Sequence, residues 1–472
     1  MLLLINTNRM TPPIAPLGIE YVAGALSNAG HEVEILDLCL AEDPEAALRE
    51  RLAADRPRLV GLSFRNVDDC FWPSCRSFLG DLKDLVERIR TLYDGPVVLG
   101  GVGYSVFARR ILEHCGADFG VHGDGEGALT ALLGELAGRR RFERVGGLVW
   151  RDPGEIRANA PNWPRSLTLP TSRVFLDNRA YFQKGGQAGL ETKRGCDQSC
   201  VYCADPLAKG PMVRLRDPAE VADEAQALLS QGVDVLHLCD AEFNIPVTHA
   251  RAVCEEFVRR RLGGHMRWYA YLAVTPFDAE LAAAMARAGC VGINFTGDSG
   301  CQKMLTAYRK RHRPQDIATA VRLCKEHGIT VMIDLLLGGP GETPRTAAES
   351  IAFLKQAEPD CVGAPLGLRV YPGTPVARLL AEQGPMEANP GTVRRYDGPV
   401  DLLQPTFYVS PQLGSRPAAL IADLIAGDER FFTPQDADAQ VSTDHNYNDH
   451  APLLKAISAG ARGAYWDILR KL

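Results

Sequence analysis

The sequence has no apolar run near the roughly 20 residues that a membrane span requires. Nor has it a basic excess: 52 Lys and Arg stand against 58 Asp and Glu, a formal charge of −6. General binding of nucleic acid or of an anionic membrane surface needs the opposite balance, so both are excluded. Internal repeats and low-complexity tracts are missing too. The opening M-L-L-L-I-N-T-N lacks a basic n-region and reads as a first strand, not a signal peptide. What remains is ordinary for a soluble globular chain: 46 % apolar, 23 % charged, and, at 472 residues, long enough for two or three domains. Thirteen cysteines point to a reducing cytoplasm, with thiols free, buried or metal-bound. Most of them, such as Cys115, Cys254 and Cys324, fall in apolar periodic segments and read as inert core.

Pattern divides the chain into β/α units. Strands are expected at Leu2–Ile5, E-V-E-I-L-D-L, Leu59–Ser63, Pro96–Gly101 and D-F-G-V-H-G-D-G-E-G. Helices lie between them, one from Pro44 capped by Asp43. Five such steps imply an open, doubly wound, Rossmann-like parallel sheet over residues 1–140, with its ligand crevice at the carboxyl ends of the strands. A hairpin and a proline-rich stretch fill 141–185 and read as a linker. Six further units over 186–375 suggest a partial (β/α)6 TIM barrel. Its strands are expected at Gly189–Thr192, Val235–Cys239, Trp268–Leu272, Gly292–Phe295, Val331–Leu337 and Cys361–Val370. Residues 376–472 form a mixed C-terminal extension that could cover the barrel mouth and shape a substrate pocket.

R-G-C-D-Q-S-C-V-Y-C places Cys196, Cys200 and Cys203 directly after the first barrel strand. A structural zinc site usually takes four protein ligands, commonly in two pairs. Three close-set thiolates suit a cubane iron–sulfur cluster with one iron left open to a substrate or cofactor. With Tyr202 before the last cysteine, the motif resembles that of the radical S-adenosylmethionine (SAM) superfamily. The resemblance implies a [4Fe-4S] cluster on the three cysteines, with SAM chelated by the open iron. It also implies SAM contacts at Tyr202, at Asp240, Ala241 and Glu242 (a glycine-glycine-glutamate-like element in which Asp and Ala replace the glycines), at Asp298 and Ser299, and at Gly338 and Gly339 in L-L-L-G-G-P-G-E-T-P.

The N-terminal third resembles the cobalamin-binding domain carried by one large subset of that superfamily. A-P-L-G-I-E-Y, the glycine pair after the fourth strand and G-D-G-E after the fifth carry the likeness. The implied cobalamin contacts are Asn6, Thr7 and Asn8; Ser63, Arg65 and Asn66; Gly100, Gly101 and Gly103; and Gly123, Asp124, Gly125 and Glu126. Many such domains carry a cobalt-ligating histidine after the first strand. Here that loop reads N-T-N-R-M-T-P-P, so His-off cobalamin is expected. Arg65 could lie beneath the corrin, where a protonated guanidinium is a poor metal ligand.

Together these features resemble the cobalamin-dependent radical SAM methyltransferases, and N-T-N with R-N-V-D-D is similar to the tryptophan C-methyltransferases of thiopeptide biosynthesis. The implied activity moves a methyl group from SAM by way of methylcobalamin to a substrate carbon, by radical or polar transfer. The implied partners are a small-molecule or peptide substrate and an external one-electron reductant of flavodoxin or ferredoxin type, with no nucleic acid and no membrane. Two other readings stay open: a cobalamin-binding radical enzyme that rearranges or oxidises without methylating, and a non-catalytic cobalamin or SAM sensor. Tyr269 and Tyr271, on one face of the third barrel strand, are candidate substrate or catalytic residues. D-H-N-Y-N-D-H, Asp444 to His450, gathers proton- and metal-competent side chains that capping and turn hydrogen bonds would equally explain.

Overall fold

The structure, a computed structural model, describes residues 1–54, 56–434 and 446–472. Asp444 and His445 of the D-H-N-Y-N-D-H run lie outside the described residues. Five parallel strands, β1 (Leu2–Asn6), β2 (Val33–Asp37), β3 (Val60–Ser63), β4 (Val97–Gly100) and β5 (Phe119–Val121), assemble in the order β2-β1-β3-β4-β5. Successive side chains of a strand point to opposite faces. Leu3 and Ile5 of β1 therefore enter one core and Leu2 and Leu4 the other, and the apolar run that looked featureless in sequence is buried on both sides. The strand order reverses between β1 and β3, and such a switch point opens a crevice at the carboxyl ends of the strands.

The hairpin expected in the linker belongs to this sheet. Strands β6 (Leu148–Asp152) and β7 (Glu155–Ala158) extend it antiparallel to β5, with Phe119 opposite Trp150. The proline-rich stretch behind it is pinned too. The Trp163 ring lies where a side chain on Gly123 or Gly210 would sit, and the Arg214 guanidinium stands 5.3 Å from that ring.

The second sheet is parallel throughout: β8 (Ala188–Leu190), β9 (Val235–Leu238), β10 (Arg267–Leu272), β11 (Cys290–Asp298), β12 (Thr330–Leu335) and β13 (Cys361–Gly363) neighbour one another in chain order. A short seventh strand, Phe431–Phe432, joins beside β13, and the two edges do not pair, so the barrel stays open. The expected last strand, Cys361–Val370, divides after Gly363. Pro365 has no N–H to give, and Gly367 turns the chain at φ +93°. Leu368–Arg369 then joins a separate antiparallel sheet with Thr406–Tyr408 and Thr392–Arg394.

The last helix, Tyr465–Leu469, fills the bore at the end opposite the rim. Its Asp467 accepts a hydrogen bond from Tyr269 Oη at 2.7 Å, Trp466 meets the Tyr269 ring edge-on at 5.9 Å, and Arg470 reaches Thr330, the first residue of β12. Buried ionic assemblies join the halves, two of them away from the cysteine loop. Arg173 pairs with Glu20 of the first helix and with Glu224 of a barrel helix, which also holds Arg216 and Tyr21 Oη. Asp68 pairs with Arg369 at 2.8 Å. Among the described residues no helix is long and apolar enough to cross a membrane.

Candidate active site between the two sheets

A cavity of about 750 Å3 lies where the carboxyl ends of the two sheets face each other. The first sheet lines it with Ser63, Arg65 and Asn66 after β3, Gly100 and Gly101 after β4, and Gly123, Asp124, Gly125 and Glu126 after β5. The barrel contributes His237, Cys239, Asp240, Ala241 and Tyr271, and the C-terminal segment contributes Asn446, Tyr447, Asn448, Tyr465 and Trp466. Gly18 and Gly100 leave open space where their Cβ atoms would stand, a cradle that any side chain would fill. Gly101 is required by its backbone, since φ is +100° and a Cβ would strike the Phe64 carbonyl. This wide concave wall of glycine and small polar groups fits a flat macrocycle.

Of the expected cobalamin residues, Asn6, Thr7, Asn8 and Gly103 shape the wall without lining it. Asn6 donates to Asp37 and Tyr181 Oη and accepts from the Asn8 amide, while Thr7 Oγ1 donates to the Ser63 carbonyl at 2.8 Å and ties the two switch-point loops together. Asn8 Nδ2 has no hydrogen-bond partner among the described residues. Gly103 packs against the backbone of Arg65 and Asn66. Asp124 and Glu126 pair with Arg194, which also pairs with Glu191. Arg65 pairs with neither neighbouring carboxylate: Asp68 is held by Arg369, and Asp69 accepts from Ser74 and the Arg76 amide. Its surroundings are Cys239, Tyr271 and Tyr465, and burial lowers its proton affinity.

The cysteine loop is bracketed by a short hairpin, Lys193–Arg194 against Arg214–Leu215. The Cys196 amide donates to the Gly210 carbonyl, Cys203 turns back onto Cys200, and a Cβ on Gly195 would collide with Met212. Asp240 anchors the hairpin's start, accepting from the Thr192 amide at 2.8 Å and from Thr192 Oγ1 at 2.5 Å. Both its oxygens are thus engaged in positioning the loop. Burial pushes the Cys196 thiol up to about 11 and raises Cys200 and Cys203, the last also through the other two thiols. Iron would hold all three as thiolates against that shift. Among the described residues no three His, Cys, Asp or Glu side chains converge on one point. A single tetrahedral ion needs such convergence, whereas thiolates on a cubane reach separate irons.

Around the thiols stand the other expected SAM residues. Tyr202 Oη donates to Asp298 at 2.5 Å, and Lys310 stands 3.4 Å from the same carboxylate. Glu242 accepts from Thr296 through Oε1, while its buried Oε2 has no partner among the described residues. Burial raises its carboxyl to about 7, against the pull of Lys310. An orphaned acceptor beside the cluster loop fits an ammonium group. Gly338 donates its amide to Glu342, and Gly339 packs under Tyr308. Ser299 faces away: its hydroxyl pairs with Ser350 and accepts from the Cys301 amide. Of the two tyrosines, Tyr271 lines the cavity and is 37 % exposed into it, whereas Tyr269 is turned to Asp467. His237, 5.1 Å from the Tyr271 ring and lowered to about 4 by burial, was not singled out in sequence, since a lone histidine on a strand carries no signal. Asn294, Lys310, Asp334 and Trp466 were missed because each stands alone in its segment, whereas Tyr447 falls in the D-H-N-Y-N-D-H run.

Residues 190–354 match the radical SAM superfamily model and residues 5–133 the B12 binding domain model. The radical SAM methyltransferase TsrM from Kitasatospora setae, solved with tryptophan and the SAM analogue aza-SAM, is 31 % identical with a TM-score of 0.93, over 100 % of this chain and 97 % of that one. The same enzyme with cobalamin and a [4Fe-4S] cluster gives 30 % and 0.91 over the same spans. The chain belongs to the cobalamin-dependent radical SAM methyltransferases. Tryptophan 2-C-methyltransferase of Streptomyces laurentii is 29 % identical to this methyltransferase, over 98 % of this chain and 94 % of its own length. The methyltransferase thus opposes its B12 domain and its radical SAM domain across one cavity.

Proposed function

We propose that the chain methylates a carbon of tryptophan or a closely related indole. The carrying observation is one cavity walled by both sheets and lined on the barrel side by His237, Tyr271, Tyr447, Tyr465 and Trp466. Aromatic walls suit a flat indole, and the full-length likeness to an enzyme solved with tryptophan supports the same reading.

In this reading Cys196, Cys200 and Cys203 hold the cluster; Glu242 takes the SAM ammonium; Tyr202, Asp298 and the Gly338–Gly339 backbone complete the SAM site; and Asp240, Ala241 and Ser299 position the loops around it. Ser63, Asn66, Gly100, Gly101, Gly103 and Gly123 to Glu126 cradle cobalamin, with Asn6, Thr7 and Asn8 fixing the loop beside them. When bound, cobalamin supplies the transferable methyl group and the cluster supplies the iron corner that holds SAM. Arg65, which lines the cavity, would present to bound cobalamin a cation that is a poor metal ligand. His237 stays neutral at pH 7, so it presents an uncharged ring to the substrate. Enclosure between the sheets holds the acceptor carbon against the donor and excludes water. An external one-electron reductant and a reducing cytoplasm complete the reading.

The test is anaerobic reconstitution with iron, sulfide and cobalamin, followed by tryptophan and SAM labelled in its methyl group. Labelled methyltryptophan is the expected product. SAM consumption with no label in any indole would overturn the assignment of substrate.

A further inference from the structure

The three-cysteine loop has an outer side as well as one turned to the cavity. Asp197 and Ser199 are exposed, and Cys200 and Cys203 are half-buried. Val201, between those two cysteines, is stitched to its neighbours on both flanks. Its amide donates to the Tyr308 carbonyl at 3.3 Å, and its carbonyl accepts from the Val376 amide at 2.9 Å. Directly after Tyr308 the sequence reads R-K-R-H-R, Arg309 to Arg313. The run divides by side. Lys310 turns inward to Asp298, and His312 to the Gly297 carbonyl at 3.1 Å. Arg309, Arg311 and Arg313 are exposed. On the other flank Arg378, two residues on from Val376, is exposed and donates to the Gly373 carbonyl at 2.7 Å. Among the described residues none of these four guanidinium groups pairs with a carboxylate.

Four such cations around one loop stand out in a chain whose formal charge is −6. Arginines at the seam are tied to acids instead, as Arg173, Arg194, Arg214 and Arg369 are. Apolar surface accompanies the cations. Leu379, next to Arg378, is 41 % exposed, and Met212, whose carbonyl backs Gly195 at the head of the cysteine loop, is 50 % exposed. Apolar groups with a charged rim make up a protein-docking surface. Charge selects the partner. At physiological ionic strength fields fade over about 8 Å, so an acidic protein approaching here meets the local arginines and not the distant acidic excess. Position selects its task. A protein that carries electrons cannot enter a cavity of about 750 Å3 and has to reach the cluster through the cavity wall. At this place the wall is the loop that holds the thiolates. A nucleic acid or an anionic membrane would meet the same charge but has no use for nearness to the thiolates.

We propose that Arg309, Arg311, Arg313 and Arg378, together with Leu379 and Met212, form the docking surface for an acidic one-electron carrier protein. The step there is a bare electron transfer. The reduced carrier loses one electron, the cluster held by Cys196, Cys200 and Cys203 gains it, and no bond or proton is exchanged. The proposal rests on the reading that an external reductant serves this enzyme, and it gives that partner a surface and a charge.

The experiment uses the cofactor-loaded protein under anaerobic conditions with two acidic probes, a flavodoxin and a [2Fe–2S] ferredoxin. Binding of each is measured by calorimetry across a range of salt concentrations. Electron transfer is followed by bleaching of the cluster absorption, with no methyl acceptor present. Arg309→Glu/Arg311→Glu and Arg313→Glu/Arg378→Glu are compared with wild type. The control is Arg139→Glu/Arg140→Glu, two exposed arginines just past the helix Gly125–Ala137, in the half built on the first sheet. Wild-type binding should weaken as salt rises. Each patch pair is expected to raise the Kd at least about tenfold at low salt, because like charges then face the carrier, and to slow carrier-driven bleaching to match. Sodium dithionite, which needs no docking, should bleach every variant to the same extent, and retained iron content and absorption show that the variants fold. The control pair should behave as wild type. The docking surface is overturned if neither carrier binds, if the control pair weakens binding as much as the patch pairs, or if both patch pairs leave carrier-driven bleaching unaltered. It is overturned too if the patch pairs abolish binding of a DNA duplex or of phosphatidylserine vesicles and not of a carrier. Carrier docking with no labelled methyltryptophan would overturn the substrate reading and leave this surface standing.

Discussion

Arg65 is a cation facing a cavity without a carboxylate partner among the described residues, in a chain where the nearby arginines Arg194, Arg214 and Arg369 are all paired. Removing it should therefore be read in the cofactor rather than in the fold. Arg65→Ala is expected to change the optical spectrum of bound cobalamin and to slow methyl transfer at least about tenfold, the scale of one lost charged contact; unchanged spectra and rate would dismiss the role given to it. Cys200→Ser should separate the two halves of the site. Cluster iron and SAM turnover are expected to disappear while cobalamin binding persists, measured by iron content and absorption. Loss of cobalamin in the same variant would mean that the cysteine loop also supports the first sheet.

At the scale of elements, the turn after β12 depends on a buried acid. Glu342 accepts from the Gly338 amide, and burial raises its carboxyl from 4.5 to about 7. The folded state thus binds this proton more tightly than the unfolded state. Its favourable contribution is complete below pH 4.5 and is lost as the pH rises towards 7. Comparing apo wild type with Glu342→Gln by denaturant unfolding at pH 5 and pH 7.5, the wild-type advantage should shrink by on the order of 2–3 kcal/mol. A difference that does not vary with pH would refute this. Elements of this kind were unevenly legible in the sequence. Leu2–Asn6 and Val60–Ser63 announce themselves because a strand buried on both faces is a continuous apolar run. Asp43 could be read as a cap because its bonds, to the amides of Glu45 and Ala46, are local. The cysteine spacing was legible for the same reason. Phe431–Phe432 could not be placed, because a two-residue strand exists only through its partner β13, far away in the chain. The linker hairpin's attachment to β5 and the Asn294–Asp334 pair are likewise products of register between strands, which no local pattern reports.

For the whole molecule, the relation of the two sheets rests on buried charge. Glu20, Arg173 and Glu224 have fully buried side chains and span the seam. Deleting Arg173 leaves Glu20 without a countercharge among the described residues in a dry environment, while Glu224 keeps Arg216, so Arg173→Met should cost about 3–5 kcal/mol. Denaturant unfolding measures the loss, and a single transition splitting into two would show the halves parting; a change under about 1 kcal/mol would mean that water reaches the seam. Methyl transfer should fall with it, because each half carries one wall of the cavity. The helix Tyr465–Leu469 has a further effect on this architecture. By sealing the bore against Tyr269, Gly292 and Thr330, it turns a tube into a cup. The cavity thus has a floor as well as two walls, and Trp466, packed on Tyr269, is part of it.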